Sequence, residues 1–356
     1  MFIPRSFHDK LFEASEGIID FLTRKDFKQL TDKAIPAASF VPSETEHTLF
    51  LALDFAIVKN SSGRLHPQLI EMQGFPSLFG FQDFVAGEYR KHFDVPDNFY
   101  SHFGMSHDVY WKKLKKAIIG NQATENVVLL EIDPWKQNTA IDFLITEQQT
   151  GVKVVALEDV KREGRKLFYH HQGKKIPILR IYNRVIFDEL INRKDLQLEF
   201  NLTEEVDVEW AGHPNWFFRI SKYAMPLISS PYIPECRFLS DYKSFPQDLE
   251  NYVLKPLFSF SGSGVIFHVT RKDLDAIPEA DYGNYMLQRK VSYEPVVQSP
   301  DGLVKAEIRL LFLWEENQAR PQPVTNLARL SRGEMIGVKF NKDKTWVGGS
   351  VCFFEP

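Results

Sequence analysis

Apolar residues near the start of the chain recur at intervals of three and four. After Ser15, the segment EGIIDFLTRKDFKQLTDKAI sets Ile18, Phe21, Leu22 and Leu30 on one face, which predicts a capped amphipathic helix. The pattern then changes to two apolar runs around KNSSGR, FLALDFAIV before it and QLIEMQGFP after it, which predicts a β-hairpin. Residues 107–119 return to helical spacing, with Tyr110, Leu114 and Ala117 on one side and lysines on the other. Strand and helix alternate next: NVVLLEID (126–133) and GVKVVAL as strands, NTAIDFLITEQQ as a helix, then IPILRIYNRV leading from a strand into the helix IFDELINR. Such alternation predicts a small parallel-sheet unit. NWFFRISKYAMPLI reads as helical up to Pro226, and strands dominate from Asn251, at 252–257, 265–269, 285–291, 304–313 and from 323 onward. The whole is a mixture of α+β and α/β organisation.

The 356 residues are 44% hydrophobic and 25% charged, in line with a folded enzyme of two or three subdomains. A net charge of -4, spread without blocks, gives no field for nucleic acid or an anionic membrane. Two cysteines, Cys236 and Cys352, make no disulfide framework, and no signal-peptide core or membrane-length apolar run is visible. The expectation is a cytoplasmic protein with reduced thiols. Neither cysteine has a visible histidine partner, and His66, His102, His107, His170 and His171 have no metal-ligand spacing.

The stretch YVLKPLFSFSGSGV places Lys255 at the end of one apolar run and a small-residue loop after it. It is neither a Walker P-loop nor a dinucleotide fingerprint. A protein-kinase reading fails too, for want of an HRD catalytic loop. A loop of this kind between antiparallel strands can fold over phosphates: Ser259, Ser261, Gly262, Ser263 and Gly264 would offer backbone N–H groups, and Lys255 a point charge. The competing reading is a serine-rich turn beside an exposed lysine. Upstream, Asp54 and Glu71 interrupt apolar strands, which costs free energy unless each is paired or binds a cation. The hairpin would bring them together, with Gln73 on the face of Glu71, as an oxygen-rich set suited to Mg²⁺.

Acid, then acid-x-amide, then a hairpin lysine with its glycine loop resembles the ATP-grasp enzymes. The acids precede the loop, which is similar to the circularly permuted ATP-grasp family that includes the glutathionylspermidine synthases. VLLEIDPWKQNTAIDFL with ILRIYNRVIFDEL resembles that family's small α/β domain, and HPNWFFRISKYAMPLI the segment with its first ATP lysine, here Lys222. YMLQRKV resembles the strand that reads adenine, with Gln288 at the reading position. The resemblance spans roughly residues 45 to 356, and the order of the motifs is its specific part. The residues before it are too few for the cysteine amidase domain that bifunctional relatives carry.

The resemblance implies three segments: 1–110 with the metal-ligand strands, 111–205 as the small α/β domain, and 206–356 as the nucleotide-binding half. It implies an ADP-forming carbon–nitrogen ligase using ATP and Mg²⁺, acting on a carboxylate and an amine acceptor through an acyl phosphate. Lys222, Lys255 and the 258–264 loop would hold phosphates, Asp54, Glu71 and Gln73 the metal, and Arg309 and Arg184 the acyl phosphate or carboxylate, with Glu307 orienting Arg309. Two departures stand out. Ala52 replaces an arginine expected two residues before the metal aspartate, a charge that Arg309 could replace, and Gln73 replaces an asparagine. Arg184 and Arg309 as structural ion-pair partners, and Gln288 as an ordinary strand residue, are the competing readings. The aromatic stretch 75–106 reads either as acceptor pocket or as core and loop. The alternatives to a ligase are a nucleotide-binding protein that has lost turnover, or a phosphotransferase.

Overall fold

The computed structural model describes residues 1–258, 264–333, 336, 341 and 343–356. Among them, the strands form five sheets of mixed parallel and antiparallel pairing. No described helix is long and apolar enough to cross a membrane.

The largest sheet runs in the order β17 (Gly348–Ser350), β16 (Gln322–Ser331), β15 (Gly302–Leu313), β2 (Phe50–Lys59), β3 (Leu65–Gln73), with β14 (Pro295–Ser299) also on β15. The expected hairpin is therefore present, and strands from the first and last thirds of the chain share one sheet. Leu51, Leu53, Phe55 and Ile57 of β2 point into one core with Leu310 and Ile308 of β15. The other face carries the polar positions of the same strands, as period-2 alternation requires.

Helix Arg5–Leu22 covers the apolar face. It starts ten positions before the predicted cap, because Phe7, Leu11 and Ala14 extend the stripe of Ile18 and Leu22 backwards. Ser15 is a mid-helix residue whose Oγ donates to the Leu11 carbonyl at 2.8 Å.

The parallel sheet has the order β10 (Glu209–Ala211), β9 (Arg180–Asn183), β4 (Val127–Glu131), β5 (Lys153–Ala156), flanked by helices Ala140–Thr150 and His107–Ile119. β4 is buried on both faces, with Val128 and Leu130 in one core and Val127 and Leu129 in another, hence its unbroken apolar run. IPILRIYNRV is not one strand. It divides at Leu179 between β9 and β8 (Lys174–Ile178), which pairs with β7 (Lys166–His171) and through it β6 (Lys161–Glu163) in an antiparallel meander. Pro177 fits because β8 is an edge strand.

One stretch left open takes form, and two further expectations are corrected. Helix Phe79–His92 lies inside the aromatic stretch left undecided by the sequence. Its start is capped from elsewhere in the chain, by Asp142 accepting from Leu78 N at 3.0 Å and Phe81 N at 2.8 Å. NWFFRISKYAMPLI is two short turns, Trp216–Arg219 and Lys222–Leu227, separated by an extended Ser221. Residues 265–269 form no strand, only a bridge in which Ile266 and Leu254 exchange backbone hydrogen bonds of 2.9 and 3.0 Å. The adjoining sheet is β11 (Cys236–Phe238), β13 (Tyr285–Arg289), β12 (Tyr252–Pro256). Finally, β1 (Phe2–Ile3) pairs in parallel with β18 (Phe353–Phe354).

Candidate functional site

Opposite the helix-covered face, Asp54 on β2 lies across from Glu71 on β3 and Arg309 on β15. A bulge falls beside Asp54, where the pairing slips between Asp54–Glu71 and Phe55–Leu69. Such bulges re-aim side chains and cluster near sites. Arg309 grips Asp54 with both arms, Nε to Oδ1 at 2.6 Å and Nη2 to Oδ2 at 2.7 Å. Arg329 on β16 donates to the same Oδ2 at 2.5 Å and to Glu307, which also accepts from the Tyr293 hydroxyl at 2.6 Å. Glu307 thus serves Arg329, not Arg309 as expected.

Asp54 is fully buried. Burial alone would raise its carboxyl, but the Arg309 and Arg329 charges overcome that and hold it below the usual range. For Glu307 burial prevails over Arg329, Asp54 adds repulsion, and the carboxyl is raised. Burial pushes a carboxyl up, and only enough positive charge beside it reverses the shift.

Lys255 projects from β12. Register pairs Lys255 with Met286, and Val253 and Cys236 with Gln288, so Lys255 and Gln288 share one face of this small sheet. Burial, opposed by Glu71 and reinforced by Lys222, brings the Lys255 ammonium down to about 8. Lys222 is buried, donates to the Pro256 carbonyl at 3.3 Å, and is lowered by burial against the pull of Glu71 and Asp188. Lys222 thus reaches the backbone of the residue next to Lys255, and the charge of Glu71 is felt by both. Gln288 is 3% exposed, and among the described residues its Oε1 has no hydrogen-bond partner. A buried acceptor of this kind costs about 1–3 kcal/mol while unmade.

Glu71, Gln73, Phe75, Phe217, Lys222 and Phe258 line a recess of about 30 Å³. Phe258 also lines a second space of about 430 Å³ beside Pro256, Asn284 and Tyr285. Arg184 packs against Phe75, one of the residues lining the recess. It donates to the Pro76 carbonyl at 2.8 Å and lies over the Phe75 ring at 4.5 Å, while its buried Nε has no partner among the described residues. These contacts, with Tyr182 at 5.9 Å, place it with Pro76 and Phe75 rather than with Asp54 or Arg309. Gly264 has φ +69°, and a Cβ there would meet Pro256 Cγ at 2.9 Å, so glycine is required. Ser259, Ser261, Gly262 and Ser263 lie outside the described residues.

The expected magnesium set does not fit this arrangement. Gln73 turns its amide nitrogen to Glu71 Oε2 at 3.2 Å, and Asp54 has three guanidinium hydrogen bonds on its two oxygens. Among the described residues no group of three His, Cys, Asp or Glu side chains is placed to hold a metal. Sequence reasoning missed Arg329, although a charge inside the apolar strand TNLARLS is the same signal that picked out Asp54. It also missed Glu131, buried at the end of β4, whose carboxyl is pushed up to about 8 by burial despite a hydrogen bond from Ile132 N and the nearby Arg184.

No protein-family model matches the chain, and no curated protein matches it in sequence. Among solved structures it is similar to a glutathione synthetase-like effector, GSS30, from Globodera pallida in its apo form, with a TM-score of 0.61 and 11% identity over 99% of this chain and 88% of that one. At that identity the likeness concerns the fold alone.

Proposed function

We propose that the chain is an ATP-grasp-type protein that binds ATP between the β11–β13–β12 sheet and the charged face of the large sheet, and that it joins a carboxylate to an amine with release of ADP. The observation that carries this reading is the shared face of Lys255 and the unpartnered Gln288 acceptor, with Lys222 close by. The lysines match the charge of phosphates. The Gln288 oxygen matches a donor such as the exocyclic amine of adenine. The likeness to a glutathione synthetase-like protein supports the ligase class. The order of the strands supports a circular permutation, since β2 and β3 precede the lysines in sequence yet complete the sheet of β15 and β16.

In this reading Lys222 and Lys255 hold the phosphates while a substrate carboxylate oxygen attacks the γ-phosphorus. The bond to the β-phosphate oxygen breaks, giving an acyl phosphate and ADP. A neutral amine then attacks the acyl carbon and phosphate leaves. Arg309 and Arg329 supply positive charge where these oxyanions develop. Incubation with ATP, Mg²⁺ and pooled carboxylates and amines, followed by nucleotide chromatography, tests the class. ADP formed only with a carboxylate, and a hydroxamate on adding hydroxylamine, are expected. AMP as product would reject the mechanism.

A second reading, ATP binding without ligation, is favoured by one feature. Ala52 contributes no charge to the face, and Asp54 is held by two arginines. ATP binding without ADP formation across the same substrate pool would select it.

A further inference from the structure

The engagement of Asp54 by two guanidiniums has a consequence for how an anion is held. Mg²⁺ demands near-octahedral oxygen at about 2.0–2.1 Å. Oδ2 of Asp54 already accepts from both Arg309 and Arg329, and Oδ1 from Arg309. A divalent cation on either oxygen would stand beside two guanidiniums in a water-poor site, where like charges repel strongly. The neighbouring positions of β2 on this face are Ala52 and Ala56, which bring no side-chain oxygen. Glu71, meanwhile, is the acid whose charge is felt by Lys222, Lys255 and Arg329 together. Glu71 lies across from Asp54 and lines the same recess as Lys222, so cations from three separate elements act on this part of the face, an arrangement that suits the oxygens of a phosphate.

We infer that Asp54 is a clamp for Arg309 and Arg329 rather than a metal ligand, and that the polyphosphate of a nucleotide is bound by these arginines with Lys222 and Lys255 without a divalent cation. Arg329 is then a phosphate-binding residue, and Asp54 a positioning residue acting through both arginines. The inference rests on the nucleotide reading above and adds to it what neutralises the phosphates. It concerns binding, and leaves open what a metal arriving with ATP does for turnover.

The two roles of Asp54 separate in one experiment. ATP affinity is measured by calorimetry on the full chain, with Mg²⁺ and with EDTA, for the wild type, Asp54→Asn and Arg329→Gln. The clamp predicts wild-type affinities within about threefold in the two buffers, a difference under 1 kcal/mol. It also predicts that Asp54→Asn weakens binding by a similar factor in both buffers, since a misplaced arginine is misplaced with or without metal. A metal ligand predicts a loss seen only with Mg²⁺. Thermal melts check that Asp54→Asn folds. Arg329→Gln, at a partly exposed residue, gives the same test if it does not: an equal loss in both buffers is expected. A wild-type affinity that falls more than about thirtyfold in EDTA, about 2 kcal/mol, overturns the inference and leaves the nucleotide reading standing. Absence of ATP binding in both buffers removes the nucleotide reading itself.

Discussion

Lys255 offers a test in which pH replaces mutation. In the unliganded protein its ammonium titrates near 8, burial being the chief cause and Lys222 adding repulsion, with Glu71 pulling the other way. A phosphate on that ammonium restores its preference for the charged form. Binding then draws on the protonated fraction alone, which is about nine-tenths at pH 7 and about one-tenth at pH 9 for a group titrating near 8. ATP affinity should therefore fall nearly tenfold over that interval, about 1.4 kcal/mol. The Cys236 thiol nearby is raised to about 12 by burial and does not titrate in this window. Lys222 is also lowered, so a control is needed: Lys255→Arg keeps its charge throughout and should give a visibly flatter profile. The assay is calorimetric titration of ATP across pH 7 to 9 at constant ionic strength. Folding stability should move oppositely. A lysine lowered from 10.5 to about 8 binds fewer protons in the folded state, so stability rises with pH across that span as the buried charge is relieved. A wild-type affinity flat from pH 7 to 9, or a slope unchanged in Lys255→Arg, would refute the assignment of Lys255 to phosphate.

Four more outcomes are expected. Asp54→Ala removes the carboxylate held by both arms of Arg309 and leaves Arg329 with Glu307 alone, and it should lower stability by about 3–5 kcal/mol in urea titrations, with Asp54→Asn costing less. The Asp54 contribution is present above its unfolded value of 3.8 and is lost as pH falls through its lower folded value, so the two variants should show less acid sensitivity than the wild type as pH falls below 3.8. Gln288→Leu removes a buried acceptor without a partner, so thermal midpoint should rise while ATP affinity falls and discrimination against GTP is lost. Glu131 is raised from 4.5 to about 8, so the stability present below 4.5 is lost as pH rises toward 8; Glu131→Gln should remove that dependence and make the protein more stable than wild type near pH 8, as read by urea midpoints.

What the sequence revealed depended on how locally each feature is determined. The helix at His107–Ile119 carries its cap, Ser106, and its apolar stripe within its own residues, and the reading of 107–119 coincides with it. The hairpin of β2 and β3 declares itself by the polar turn between two apolar runs, and it put Asp54 opposite Glu71. The helix at Phe79–His92 was illegible because its cap comes from Asp142, on another helix. The partners of Asp54 were illegible for the same reason. An acid inside a strand signals that something must balance it, but not whether that is a metal or an arginine from another strand. Arg309 and Arg329 reach Asp54 through the alignment of β15 and β16, which is a property of the whole sheet.

That alignment also governs how the chain must be made. β2 and its partner strand β15 are far apart in sequence, and the Asp54–Arg309 contact spans 255 positions. At about 5–20 residues per second, a ribosome needs roughly 13–50 s to synthesise the intervening chain. Throughout that interval FLALDFAIV is an apolar strand with one side unclaimed, the kind of edge that pairs with a neighbouring nascent chain. Asp54 then acts as a gatekeeper, an ionised group at the centre of the run that resists stacking with a copy of itself. Replacing it with an apolar residue would therefore be felt first as insoluble product during expression, before any loss at the finished site could be measured.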